Sequence, residues 1–133
     1  MAKRSTSRRV AMQALFQADH AGIPIKEALE LLFESEKFVE ETRLFAEELA
    51  SGAWGKKEQS DKIIKQYSKD WSIERMGGVD RNILRLALFE LMEGETPVQV
   101  AIDEAVELAK KYSSDEAAKF INGILGTYVK NAK

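Results

Sequence analysis

Residues 71–91 read WSIERMGGVDRNILRLALFEL, residues 96–112 read TPVQVAIDEAVELAKKY, and residues 119–126 read KFINGILG. Each tract places apolar residues at helical spacing. The first, with Met92 after it, is apolar almost all the way round: Ile83, Leu84, Leu86, Ala87, Leu88, Phe89, Leu91 and Met92 leave only a thin polar stripe. A helix of that kind is stable only when other helices wrap it. The tract therefore predicts an all-α fold with one central, buried helix spanning about Asp80 to Met92, where Asp80 is placed to cap the N-terminus or to offset its dipole.

Working outward, the pattern gives seven helices and no convincing strand. The first is expected over Ser7 to His20, with Thr6 or Ser7 as N-cap and Ala11, Met12, Leu15, Phe16 and Ala18 facing inward. Gly22, Ile23 and Pro24 end it. The second covers Ile25 to Phe33. The third runs from Lys37 to Ala53, burying Phe38, Val39, Leu44, Phe45 and Leu49, and is broken around Gly52 to Gly55. The fourth, Lys57 to Lys69, buries Ile63, Ile64 and Tyr67. Trp71 and Ile73 lead a short helical turn that stops at Gly77 and Gly78, where positive φ is available. After the central helix, Gly94 and Pro97 mark a turn. The sixth helix spans Val98 to Tyr112. The seventh is capped by Ser113 or Ser114 and buries Ala117, Phe120, Ile121, Ile124, Leu125 and Tyr128.

A chain of 133 residues with 44% hydrophobic and 32% charged content is expected to fold as one domain, residues 1–133. No apolar run approaches the roughly 18 residues of a membrane span, and the basic start is not followed by a signal-peptide core. With no Cys there is neither a disulfide framework nor a thiolate metal site. These features fit a cytoplasmic protein. Charge is distributed unevenly. Residues 1–18 hold Lys3, Arg4, Arg8 and Arg9 and no acid, which leaves −6 on the other 115 residues of a chain whose formal charge is −2. A basic N-terminus on an acidic body is the pattern of a local anion-binding site; a solvated tail has the same composition.

Catalytic chemistry finds little to work with. The one His, His20, sits at a helix end, where it suits the C-terminal dipole. A lone His with no Cys disfavours a His-based metal site or triad. Glu27, Glu30, Glu34, Glu36, Glu40, Glu41, Glu47 and Glu48 read as a solvated face that would repel phosphates. Arg81 and Arg85 are expected to pair with acids such as Glu90 or Glu104. Arg4, Arg8 and Arg9 lie near one side of the first turns of a helix, with free N–H groups beside them, an arrangement suited to phosphate.

Taken together, RRVAMQALFQ at residues 8–17 and the three tracts quoted above resemble the NusB family of bacterial transcription antitermination factors. Order, spacing and length agree over essentially the whole chain. The resemblance implies two small helical bundles packed as one RNA-binding domain. It also implies binding to single-stranded boxA RNA of ribosomal RNA leaders, together with the small-subunit ribosomal protein NusE. The pair would act within the RNA polymerase antitermination complex, with no catalysis, cofactor or membrane involved.

Carried over by position, the family's basic start falls on Lys3, Arg4, Arg8 and Arg9. Its RNA-facing aromatics fall on Phe16, Tyr67 and Phe120, with Gln13 and Lys119 beside them. Its NusE-facing acids fall on Glu74 and Asp80. The chemistry suits single-stranded RNA: bases stack on aromatic faces for about 1–3 kcal/mol each, and Arg and Lys hold phosphates. Burial in the core explains Phe16 and Phe120 equally well, as helix capping does Asp80. Three positions depart from the family pattern: Ser5-Thr6-Ser7 loosens the basic block, Phe16 stands where Tyr is common, and Gly126 replaces an acid. Two other readings are a helical protein-interaction module without RNA binding and the NusB-like accessory domain of ribosomal RNA methyltransferases; the latter would need a catalytic domain for which this chain has no room.

Overall fold

The computed structural model describes residues 4–68 and 76–132. Among the described residues seven helices follow one another: α1 (Arg4–Ala21), α2 (Ile25–Ser35), α3 (Glu40–Gly55), α4 (Lys57–Tyr67), α5 (Gly78–Glu93), α6 (Val98–Tyr112) and α7 (Asp115–Asn131). There is no strand among the described residues. Helices α1, α2 and α3 pack on one another, α4 to α7 form a second group, and α5 lies against α1, α3, α4, α6 and α7. Among the described residues no helix is long and apolar enough to cross a membrane.

The central position of α5 follows from its sequence. Ile83, Leu84 and Leu88 are completely buried, and Leu86, Ala87 and Phe89 nearly so. Its thin polar stripe is buried as well: Asn82, Arg85 and Glu90 are all inside. Such groups are tolerated there only when paired. Arg85 forks onto Asp61 of α4, Nε to Oδ1 and Nη2 to Oδ2, both at 2.8 Å. Its Nη1 lies 3.1 Å from Asn82 Oδ1 and 3.2 Å from Asp19 Oδ2. Arg81 Nε donates to Asp19 Oδ2 at 2.8 Å, and Asn82 Nδ2 donates to the same oxygen at 3.0 Å. The arginines are thus paired, as expected, but with Asp19 and Asp61 instead of Glu90 or Glu104. Those two glutamates are engaged with Arg8.

This network makes the fold sensitive to acid. Burial opposes ionisation of Asp19, but hydrogen bonds from Asn82 and Arg81 and the charges of Arg85 and Arg81 outweigh it and hold the carboxyl below its usual range. The unfolded chain therefore binds the Asp19 proton more readily than the folded one. The resulting stability is complete above the ordinary aspartate value of about 4 and is lost as pH falls through the lower folded value. Asp19→Asn should lower the urea midpoint at neutral pH and flatten its acid-side decline. A parallel decline in the two proteins would refute this role.

Several boundaries move for identifiable reasons. Helix α1 is already formed at Arg4, the first described residue, so neither Thr6 nor Ser7 caps it; Ser7 is buried inside the helix and its hydroxyl donates to the Thr42 carbonyl of α3 at 2.9 Å. Helix α3 begins at Glu40 and runs through the expected break to Gly55. Gly52 is there for packing: a Cβ at that position would fall 2.1 Å from Cζ of Phe89, so the missing side chain lets α5 approach α3. Val39 and Leu44, expected inside, are 61% and 58% exposed, whereas Leu49 is buried and Phe45 half-buried. Gly78 opens α5 in place of ending a preceding turn, and Asp80 makes no side-chain cap; the cap position is Gly77. The expected helical turn around Trp71 and Ile73 lies outside the described residues.

Other local signals hold. Ser114 caps α7, its Oγ accepting from Ala117 N at 3.0 Å. Gly94 ends α5 with φ of 75°, a left-handed value that favours glycine, and donates its N–H to the Glu90 carbonyl. His20 is exposed in the last turn of α1. The eight glutamates of α2, α3 and their connection are exposed.

Candidate nucleic-acid interface

Arg4, Arg8 and Arg9 lie in the first described turns of α1, and the helix sends the neighbours Arg8 and Arg9 in different directions. Successive residues project about 100° apart on a helix of 3.6 residues per turn. Arg8 turns inward. It is 4% exposed, and its Nε and Nη2 both lie 2.9 Å from Glu90 carboxylate oxygens, with Nη1 3.4 Å from Glu104. Burial opposes its charge, yet the Glu90 hydrogen bonds and charge, aided by Glu104, hold the guanidinium more firmly protonated than an ordinary arginine. Thr96 completes the cluster by donating its hydroxyl to Glu90 Oε1 at 2.8 Å. Expected on the surface beside Arg9, Arg8 is instead an internal tie between α1, α5 and α6.

Arg4 and Arg9 remain outside. The Arg4 guanidinium lies 3.9 Å from the Phe45 ring centroid, a cation–π contact that anchors the start of α1 on α3. Arg9 stands on a ridge between two grooves. On one side, a groove of about 580 Å³ is lined by Ser5, Thr6, Arg9, Lys110, Lys111 and Tyr112, with Glu104 and Glu107 along its wall. On the other, a groove of about 470 Å³ is lined by Arg9, Gln13, Phe16, Gln17, Glu36 and Tyr112, over a floor that includes Met12, Leu32 and Val79. Arg9 and Tyr112 belong to both.

Phe16 is half-buried and stacks on His20, ring centroids 5.4 Å apart and planes 7° apart. Gly78 makes this possible: a Cβ there would come 2.9 Å from Phe16 Cε1. The second glycine of the pair thus seats α5 against an aromatic of the groove.

Phe120 lies in a different place, a small hollow of about 150 Å³ shared with Met76, Gly77, Asp80, Ser114 and Ala117. Asp80 Oδ1 is buried there without a hydrogen-bond partner among the described residues. Lys119 is exposed next to Phe120 in sequence. Tyr67 is half-buried against the core, its hydroxyl accepting from Gln66 Nε2 at 3.4 Å. The structure therefore brings together Arg9, Gln13 and Phe16, places Phe120 beside Asp80, and withdraws Arg8. Lys3 and Glu74 lie outside the described residues.

The sequence reading missed Lys110, Lys111 and Tyr112. On α6 alone Lys110 and Lys111 are an ordinary basic end of a helix, and only the packing of α6 beside α1 places them and Tyr112 next to Arg9. Lys111 Nζ lies 5.7 Å from the Tyr112 ring centroid. Alternating cations and rings across two open grooves can hold phosphates on the former and stack bases on the latter. No group of three or more His, Cys, Asp or Glu residues able to hold a metal occurs among the described residues.

Among the described residues, a buried α5 packed among six other helices, with basic and aromatic side chains lining open grooves where α1, α2 and α6 come together, defines an all-helical fold with a surface suited to binding. The chain belongs to the NusB family, whose family model matches residues 5–130. It is 42% identical to the transcription antitermination protein NusB of Symbiobacterium thermophilum, across 98% of this chain and 91% of that protein. Its fold matches that of T. maritima NusB with a TM-score of 0.88 and 34% identity, over 98% and 94% of the two chains. It also matches a chain in a crystal structure of the antitermination factors NusB and NusE in complex with double-stranded RNA, with a TM-score of 0.87, 31% identity and 96% coverage of both chains.

Proposed function

We propose that this chain is a transcription antitermination factor. In this reading it binds single-stranded boxA RNA of ribosomal RNA leaders jointly with NusE and, within the RNA polymerase antitermination complex, promotes read-through. It works in the cytoplasm as one RNA-binding unit and without catalysis. The observation that carries the proposal is the strip from Lys110 and Lys111, across Arg9 and Tyr112, to Gln13 and Phe16. Arg9 and the lysines hold the sugar–phosphate backbone, and Phe16 and Tyr112 offer faces to bases. Lys3 and Arg4 are further candidate phosphate contacts, and Lys119, Phe120 and Tyr67, on α7 and α4 and apart from this strip, are further candidate contacts for RNA. Asp80, with Glu74 nearby in sequence, is the candidate contact for NusE. The name of the Symbiobacterium relative and the NusB–NusE–RNA complex support this reading.

The test is binding of a labelled boxA RNA across a salt series, with and without NusE. Binding should be strengthened by NusE and weakened by salt. Arg9→Ala should weaken it on the order of tenfold and reduce the salt slope by about one phosphate contact. Loss of RNA binding under both conditions, with NusE still bound, would leave a helical protein-interaction module.

A further inference from the structure

The side chain best placed to hold RNA is already holding something else. Arg9 Nη1 donates to Glu36 Oε1 at 3.2 Å and Nη2 donates to Glu36 Oε2 at 3.1 Å, a two-pronged pairing of guanidinium and carboxylate. Arg9 Nη1 also donates to Gln13 Oε1 at 3.2 Å, and the guanidinium lies 5.7 Å from the Phe38 ring centroid. Glu36 follows the last residue of α2 and lines the groove that contains Gln13 and Phe16. The carboxylate engages the same fork that a backbone phosphate would engage, with the same single negative charge and, like the phosphate, two oxygens that accept from two N–H groups at once. The pair is open to solvent: the Arg9 side chain is 23% exposed and that of Glu36 is 50% exposed. Exposed pairs of this kind are weak enough to exchange partners.

We propose that Glu36 is an internal phosphate mimic that sets the RNA affinity of this face by occupying Arg9 until a backbone phosphate displaces it. The proposal rests on the RNA-binding reading given above. In the free protein Glu36 keeps the Arg9 fork pointed into the groove while neutralising it. On binding, phosphate takes the fork and Glu36 is released to solvent beside a polyanion. Affinity is therefore lower than Arg9 alone would give, and contacts that bring a phosphate only near the fork, without displacing the carboxylate, gain little. The sequence hides this device because Glu36 is one acid among eight that read as a solvated face, and its partner is 27 residues away.

The experiment measures labelled single-stranded boxA RNA binding, with NusE present, to the wild-type chain, Glu36→Gln, Arg9→Ala and the double variant. Glu34→Gln serves as a control that removes an exposed acid of α2 bearing no ion pair among the described residues. Glu36→Gln should tighten binding by about two- to tenfold near 0.1 M salt, the range for freeing one exposed, partly screened charge. Glu34→Gln should give clearly less, and the gain from Glu36→Gln should disappear when Arg9 is Ala. Weakened or unchanged binding in Glu36→Gln, while Arg9→Ala still loses affinity, overturns the mimic and leaves the RNA face intact. An equal gain from Glu34→Gln reduces the effect to net charge and also overturns it. No effect of Arg9→Ala, or no RNA binding at all, removes the reading of the face itself and the mimic with it.

Discussion

Arg8→Ala should unfold in urea with about 3–5 kcal/mol less stability than the parent, the usual consequence of leaving one member of a buried ion pair alone. Glu90 is 3% exposed and depends on Arg8 for three of its contacts; Thr96 supplies the remaining one. Without the guanidinium, a carboxylate is left among Leu86, Ala87 and Ala101, in the interior where α1, α5 and α6 meet. It must then take up a proton, draw in water or move, and each costs stability. Replacing both partners, as in Arg8→Met with Glu90→Met, should recover most of the loss, because matched apolar side chains do not carry the desolvation of two charges. The RNA measurement separates this role from surface binding. At a temperature where the variant stays folded, Arg8→Ala should keep the wild-type salt slope, whereas Arg9→Ala should not. An Arg8→Ala protein of unchanged stability but reduced slope would reverse the assignment and place Arg8 on the RNA.

The contrast between these neighbours shows how far the sequence carries. The central helix was legible because its apolar residues exceed one face, a pattern with no stable solution other than burial. Ser114 was legible because a cap is a local contact, closed within three residues. The family tracts also located the basic start, but they could not say which of two adjacent arginines turns inward. That is decided by Glu90, 82 residues away from Arg8, and by Glu36, 27 residues away from Arg9. Gly52 misled for the same reason: as a local signal it reads as a break, and only Phe89 arriving from α5 makes it a packing position. Lys110, Lys111 and Tyr112 were unremarkable on α6 until that helix was placed against α1. What the sequence left open are the contacts between helices, and the candidate interface is made almost entirely of them.

The second large effect is expected at the middle of α5. Leu84 has no solvent exposure, and its helix lies against five others, so truncation leaves a hole that no single neighbour can close. Leu84→Ala should cost about 2–5 kcal/mol, from lost transfer free energy and the residual cavity. Against a typical total of about 5–15 kcal/mol for a domain, that is enough to lower the urea midpoint sharply. The slope with denaturant should stay unchanged, because the surface exposed on unfolding is nearly the same. Leu44→Ala is the informative comparison, since the same chemical change is made on the solvent side of α3. With 58% of Leu44 already exposed, it should shift stability by no more than about 0.5 kcal/mol. A Leu84→Ala cost below about 1 kcal/mol would mean that the neighbouring helices collapse freely around α5. In that case the wrapped central helix, from which the whole fold was read, would not be what holds the two groups of helices together.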